Sequence, residues 1–205
     1  GFVDGRQLGL FEAISCGETE LWGPPAAAEL RRVVDAVQPY GLTLVDGALD
    51  RQAALYQGES AMVLCCRSDS PNPAALALYL SSRRALFDAP ITSADDLPVL
   101  DSIEELDPAG ADIGGVIIAG PLTQTMAEIL LSSGIRRIVV KSPMHVFCDP
   151  KTALRLAPVL QVLTRPLWLA TAVNPAGSGA TPADLLALAQ KALGGHHPVF
   201  DPLAL

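Results

Sequence analysis

Lysine is nearly missing from this chain: among 205 residues it stands only at 141, 151 and 191. A phosphate-binding loop of the form G-x-x-x-x-G-K-[ST] is therefore absent, since neither Lys141-Ser142 nor Lys151-Thr152 is preceded by Gly. Charge is also scarce, at 18 % of residues against 50 % apolar, which excludes a disordered chain and supplies a substantial core. The four cysteines contain no C-x-x-C pair, and a disulfide framework does not suit a chain of this size and composition. Cys65 and Cys66 stand side by side in an apolar run and read as buried small hydrophobes. The start, Gly1-Phe2-Val3-Asp4-Gly5-Arg6, lacks the basic region and apolar stretch of a signal peptide, and no apolar run is as long as a membrane span. No G-x-S-x-G elbow occurs, and three histidines leave little choice of base, so hydrolysis by a serine nucleophile is not expected. Net charge is −8, which argues against nucleic acid and anionic membranes as partners. These absences together point to a reducing cytoplasm.

What is present is alternation. Ala26 to Val37 carries Leu30, Val33, Val34 and Val37 at helical spacing, with Glu29, Arg31, Arg32 and Asp35 facing out. Leu42–Val45 follows as a strand, after an earlier short strand at Glu18–Trp22. Ala61–Cys66 is a near-continuous apolar run, the pattern of a parallel strand covered on both faces. Ser70-Pro71-Asn72-Pro73 opens a helix to about Phe87. Strands are expected at Pro98–Asp101, Gly115–Gly120, Arg137–Lys141, Pro166–Val173 and Pro198–Phe200. Helices are expected from the Thr123 cap to Ser133 with Gly134 as the stop, at Lys151–Leu163 behind Asp149-Pro150, and from Thr181-Pro182 to about Leu193. Strand and helix alternate at least five times with no hairpin signal between apolar runs. This predicts an α/β fold: a mainly parallel sheet with helices on both faces, a Rossmann-like or P-loop-like three-layer sandwich, as one domain over 1–205.

In open α/β sheets ligands bind at the carboxyl ends of the strands. The leading candidate is Asp46-Gly47 after the strand Leu42–Val45. Asp46 suits Mg²⁺ there, held directly or through water, with Asp50 and Arg51 on the same edge. The competing reading is a simple Asp-Gly turn with an exposed ion pair behind it. A second candidate is Asn174-Pro175, which ends a buried strand ahead of the flexible Ala176-Gly177-Ser178-Gly179. It reads either as a ligand loop or as a turn set by Pro and Gly. Gly177-Ser178-Gly179 is no dinucleotide fingerprint, because Pro182 stands where a third Gly belongs. Gly120–Thr123 is a strand-to-helix turn that either cradles an anion or merely caps its helix. His145, Cys148 and Asp149 cluster after Lys141-Ser142-Pro143, but no second pair completes a zinc site unless His196-His197 supplies it in space.

The ordered set of motifs carries a resemblance. It runs Glu20-Leu21-Trp22-Gly23-Pro24, then Val45-Asp46-Gly47-Ala48-Leu49-Asp50-Arg51 and Ile117-Ile118-Ala119-Gly120-Pro121-Leu122-Thr123. It continues with Val139-Val140-Lys141-Ser142-Pro143, Ala172-Val173-Asn174-Pro175 and Pro198-Val199-Phe200-Asp201. From about Thr19 to Asp201 the chain resembles the accessory P-loop proteins associated with adenosylcobalamin-dependent lysine 5,6-aminomutase, the smaller subunit of a proposed reactivase. The resemblance implies a factor that uses ATP and Mg²⁺ to exchange damaged cobalamin, working with a partner reactivase subunit and the aminomutase. It implies Asp46 near Mg²⁺, and Asn174 with Pro175 in the late loop that touches the base. The family's phosphate-binding βα unit lies ahead of the matched region, so the chain reads as N-terminally incomplete. Whether the chain is itself an enzyme stays open. The alternatives are a degenerate P-loop domain that binds a partner protein and no nucleotide, and a small-molecule enzyme that uses the edge near Asp46.

Overall fold

The computed structural model describes residues 2–3, 6–7, 32–36, 38–41, 61–67, 73–93, 96–101, 114–175 and 179–204. The chain forms two compact units, Gly1–Gly58 and Glu59–Leu205. In the first, β1 (Phe2–Val3) pairs antiparallel with β2 (Arg6–Gln7). A short helical stretch at 32–36 is followed by a 3-10 turn at Gln38–Tyr40. Val33 and Val34 are half-buried while Arg32 and Asp35 are exposed, as the apolar spacing predicts. The strands expected at Glu18–Trp22 and Leu42–Val45 lie outside the described residues.

The second unit is α/β and built on parallel sheets, consistent with a Rossmann-like or P-loop-like fold. One sheet has the order β11 (Val199–Phe200), β10 (Leu167–Asn174), β3 (Ala61–Arg67). Another has the order β4 (Val99–Leu100), β5 (Val116–Ile118), β7 (Ile138–Val140), β9 (Leu160–Val162). A two-stranded sheet joins β6 (Leu122–Thr123) to β8 (Val146–Phe147). Every pairing in these three sheets is parallel.

Among the described residues of this unit four helices follow the strands: α1 (Pro73–Phe87), α2 (Gln124–Ser132), α3 (Pro150–Leu156) and α4 (Pro182–Ala192). They pack side by side in the order α2, α3, α1, α4. α1 is the seam between two cores. Its Leu76 and Leu80 join Val173, Leu185, Ala189 and Leu193. Six residues further along, Leu86 joins Val116, Ile118, Ile138, Val140, Leu130 and Leu156. The spacing of Leu76 and Leu80 by four places both on one helical stripe. Burying a leucine fully contributes about 1.5–3 kcal/mol, so Leu76 and Leu80 hold α1 in one core and Leu86 holds it in the other.

The helix starts follow the sequence signals. Asp149 accepts from Lys151 N at 2.8 Å and from Thr152 N at 3.1 Å, and Pro150 occupies the first helical position. Thr123 and Thr181 accept from Met126 N and Asp184 N, satisfying N–H groups that helix geometry leaves unpaired. Gly134 sits at φ +77° just past α2, a backbone region that favours glycine.

Two expectations fail. The helix expected over Lys151–Leu163 ends at Leu156, and Leu160–Val162 is instead a strand paired with β7. Pro158 is the reason: Ala157 still has helical backbone and donates to Ala153 O at 3.0 Å, but Pro158 has no N–H with which to continue the i→i−4 ladder. Ala61–Cys66 is not covered on both faces either. Along β3 burial alternates, with Val63 47 % exposed, Cys65 exposed and Cys66 half-buried.

Candidate functional site

Parallel strands bring their carboxyl ends to one edge, and in the three-stranded sheet that edge belongs to β3 and β10. Their register pairs Asn174 with Arg67, so the last residues of the two strands stand level. Asn174 and Pro175 are half-buried and Arg67 is exposed. The chain leaves β3 and enters α1 at Pro73, and it leaves β10 and enters α4 at Pro182, so both helices begin at this edge. Helix amino ends carry partial positive charge and free N–H groups. At α4 the start is ordered by Thr181, whose Oγ1 accepts from Asp184 N at 3.2 Å and donates to Asp184 Oδ2 at 2.7 Å. Gly179 takes φ +67° just before the cap, which suits a loop turning from strand to helix.

Of the residues singled out in the sequence, Asn174 and Pro175 thus lie at a strand-end edge, with Asn174 level with Arg67. Asp46 and Gly47, with Asp50 and Arg51, lie outside the described residues. The described part of the edge offers an amide, a cation and two helix starts, which suit a base and a phosphate group. The carboxylate assigned to Mg²⁺ is Asp46, and no group of three or more metal-ligating side chains occurs among the described residues.

The edge of the four-stranded sheet is built differently. After β5, Leu122–Thr123 is drawn into β6 and pairs with Val146–Phe147, which lays this turn beside the turn after β7. Gln124 then ties two helix starts together: its Oε1 accepts from Asp149 N at 2.9 Å, and its Nε2 donates to Thr152 Oγ1 at 3.0 Å and to Glu128 Oε1. After β7 the chain forms a 3-10 turn, Pro143–His145, capped by the buried Ser142, whose Oγ accepts from Met144 N at 3.3 Å. His145 is buried, and its Nδ1 has no hydrogen-bond partner. Burial first, and the Lys141 ammonium second, hold its pKa below the ordinary histidine value.

Two of the thiols, Cys66 and Cys148, are poor nucleophiles. Burial pushes Cys66 up to about 11, with Cys65 adding and Arg83 opposing. Cys148 also rises to about 11 by burial, against Arg83 and with Asp149. Both are protonated at neutral pH, and the thiolate is the reactive form. The His145, Cys148 and Asp149 cluster therefore offers no activated sulfur. Asp149 itself is held below the ordinary carboxylate range by its bonds from the Thr152 amide and hydroxyl, then from Lys151, and it serves as a helix cap.

Sequence reasoning missed the role of His197. Among the described residues it joins no metal-ligating group; it stitches a strand to a loop. Its Nε2 lies 3.0 Å from Thr171 Oγ1, both groups buried, and its ring meets Trp168 edge-on with centroids 4.7 Å apart. Trp168 in turn leans on Phe87 at 4.9 Å. The sequence signal was available in the lone polar Thr171 inside an apolar strand, since a buried hydroxyl calls for a partner.

No family model matches the chain, and no curated protein or solved structure matches it. Among the described residues no helix is long and apolar enough to cross a membrane.

Proposed function

We propose that this chain is a nucleotide-dependent accessory factor that binds its ligand at the carboxyl edge of β3 and β10. The observation that carries this reading is the pairing of Asn174 with Arg67 at the ends of adjacent parallel strands, where α1 and α4 begin. In this reading Asn174 and Pro175 contact the base, and Arg67 with the helix starts faces the phosphates. From the sequence, Asp46 and Gly47 are the candidates for Mg²⁺. The motif resemblance supports ATP as the nucleotide, and a reactivase partner and a coenzyme-B12-dependent aminomutase as the proteins served, in the cytoplasm. Fold likeness alone does not assign a function, so the site must be tested directly.

The test is binding of a fluorescent ATP analogue to the purified chain, with and without Mg²⁺. Saturable binding that weakens by about tenfold in Asn174→Ala, a loss of about 1.4 kcal/mol, supports the site. Asp46→Ala is expected to remove the Mg²⁺ dependence while leaving the fold intact. Unchanged affinity in Asn174→Ala and Asp46→Ala sinks the reading.

A second reading, a domain that binds a partner protein and no nucleotide, is favoured by one observation. Val63, Leu167 and Leu169 are 47, 63 and 48 % exposed on the three-stranded sheet. Apolar exposure on a sheet is how many interaction surfaces look. Capture of the mutase or reactivase partner by the chain without nucleotide, lost in Leu167→Asp, separates this reading from the first.

A further inference from the structure

We propose that the adjoining turns Gly120–Thr123 and Lys141–His145 form a site for a small oxyanion, a phosphate or carboxylate group, held by the Lys141 ammonium and the Nδ1–H of His145. The site lies at the edge of the four-stranded sheet and shares no residue with the Asn174 and Arg67 edge, and it stands whether or not the nucleotide reading does.

The strands place the two turns together. β5 and β7 are parallel neighbours in register Val116 with Ile138 through Ile118 with Val140, so both chains leave the sheet at the same edge. The turns then run side by side, because Leu122 pairs with Val146. One residue earlier on each strand, Pro121 and His145 stand level. The amino end of α2, a nine-residue helix, opens from the first of these turns and adds its partial positive charge.

Two groups there have needs that the described residues do not meet. His145 is 7 % exposed, and its Nδ1 is shielded from solvent with no partner. Buried side-chain polar atoms are nearly always satisfied, and an orphan points to a bound molecule. Lys141 is half-buried and has no ion pair among the described residues, although the chain carries a net charge of −8. Its backbone is spent elsewhere, its carbonyl accepting from Thr164 N at 2.9 Å and Thr164 Oγ1 at 3.1 Å. The ammonium lies close enough to disfavour the imidazolium form of His145, so the ring is neutral and has a single N–H to give. A neutral donor beside an unpaired cation fits an anion. A metal ion does not suit a position already beside a lysine, and no metal-ligating group of three or more side chains occurs among the described residues.

The experiment is a titration of the whole chain with sodium phosphate and, separately, with sodium acetate, each against sodium chloride at equal ionic strength and pH 7. The imidazole ¹⁵N signals report His145, assigned by their loss in His145→Gln. Saturable movement of the His145 signals with phosphate identifies a phosphoryl ligand, and movement with acetate alone identifies a carboxylate ligand. Lys141→Met is expected to weaken the response by about tenfold or more, whereas Lys141→Arg and the distant Lys191→Met keep it. The proposal is overturned if phosphate and acetate act no differently from chloride, or if Lys141→Met binds as the natural chain does.

Discussion

The two larger sheets of the second unit share a parallel construction but not a degree of enclosure. In β7, at the centre of the four-stranded sheet, Ile138, Val139 and Val140 are all fully buried. In β3, at one side of the three-stranded sheet, every second residue is exposed. β10 divides the difference within itself: Leu167 and Leu169 are exposed, then Thr171, Ala172 and Val173 are buried. The register of β10 against β3 shifts between Trp168 and Ala170, where the exposed half gives way to the buried half. Such a shift redirects side chains, because faces alternate along a strand. The lesson is that apolar content alone does not decide burial. Ala61–Cys66 and Ile138–Val140 read alike, yet only the second is enclosed.

The largest effect should follow from that contrast. Ile138→Ala removes buried methyl groups from a packed cluster and is expected to cost about 2–5 kcal/mol. Val63→Ser on the exposed face of β3 is expected to cost within about 0.5 kcal/mol. Urea unfolding of both variants measures the gap. Equal losses would break the comparison and mean that the β3 face is covered in solution.

Gly115→Ala comes next. A Cβ at this position would lie 2.8 Å from the Arg137 carbonyl oxygen and 2.8 Å from Arg137 Cβ. The backbone cannot yield cheaply, since Val116 N donates to that carbonyl at 2.9 Å. Arg137 is anchored further by Nε to Gln161 Oε1 at 2.7 Å and Nη2 to Thr92 Oγ1 at 2.8 Å. A loss of about 1–3 kcal/mol is expected, as for other overpacked sites. Gly120→Ala, which meets nothing within 4 Å, is the control and should unfold with the natural chain.

These contacts show where the sequence was legible. The caps at Thr123, Asp149 and Thr181 could be read because capping is local chemistry between residues two or three apart. The strands Ala61–Arg67, Val116–Ile118, Ile138–Val140 and Leu167–Asn174 were legible because parallel strands with little polar content stand out between Gly and Pro. The early end of α3 was also legible in Pro158, but the apolar run Val159-Leu160-Gln161-Val162 masked it by continuing the hydrophobic content in another period. The openness of β3 was not legible, since it depends on which distant element covers a face. Nor was the pairing of Thr171 with His197, which joins residues 26 apart across the sheet. At the candidate site, the sequence pointed to Asn174 and Pro175 through the strand end, but not to Arg67, whose place beside Asn174 is a matter of register.

Two histidines sharpen the comparison through pH. His145 belongs to the four-stranded side and His197 to the three-stranded side, and burial is the first cause that lowers each pKa below 6.5. Lys141 adds for the first, and Arg84 for the second. The unfolded chain then binds more protons than the folded one as pH falls below 6.5, so stability present above that value is lost on acidification. Urea midpoints at pH 7.5 and 5.5 are expected to differ, with the lower midpoint in acid. His145→Gln and His197→Gln should each flatten part of the difference. A double variant that retains the full pH slope would place the proton uptake on other groups.

The smallest effects lie at the helix starts. Thr181→Ala removes the acceptor for Asp184 N and is expected to cost about 1 kcal/mol. Thr123→Ala should cost less, because its bond from Met126 N is 3.4 Å long and has no return bond like that from Thr181 Oγ1 to Asp184 Oδ2. Thr181→Ser restores the cap and should restore stability. The pair also separates structure from binding at the Asn174 edge. If the start of α4 faces a phosphate group, Thr181→Ala loses affinity for the ATP analogue beyond what its small loss of stability explains, and Thr181→Ser regains it. If affinity in Thr181→Ala is unchanged while stability falls, the start of α4 is only a cap, and the ligand must be read from Asn174 and Arg67 alone.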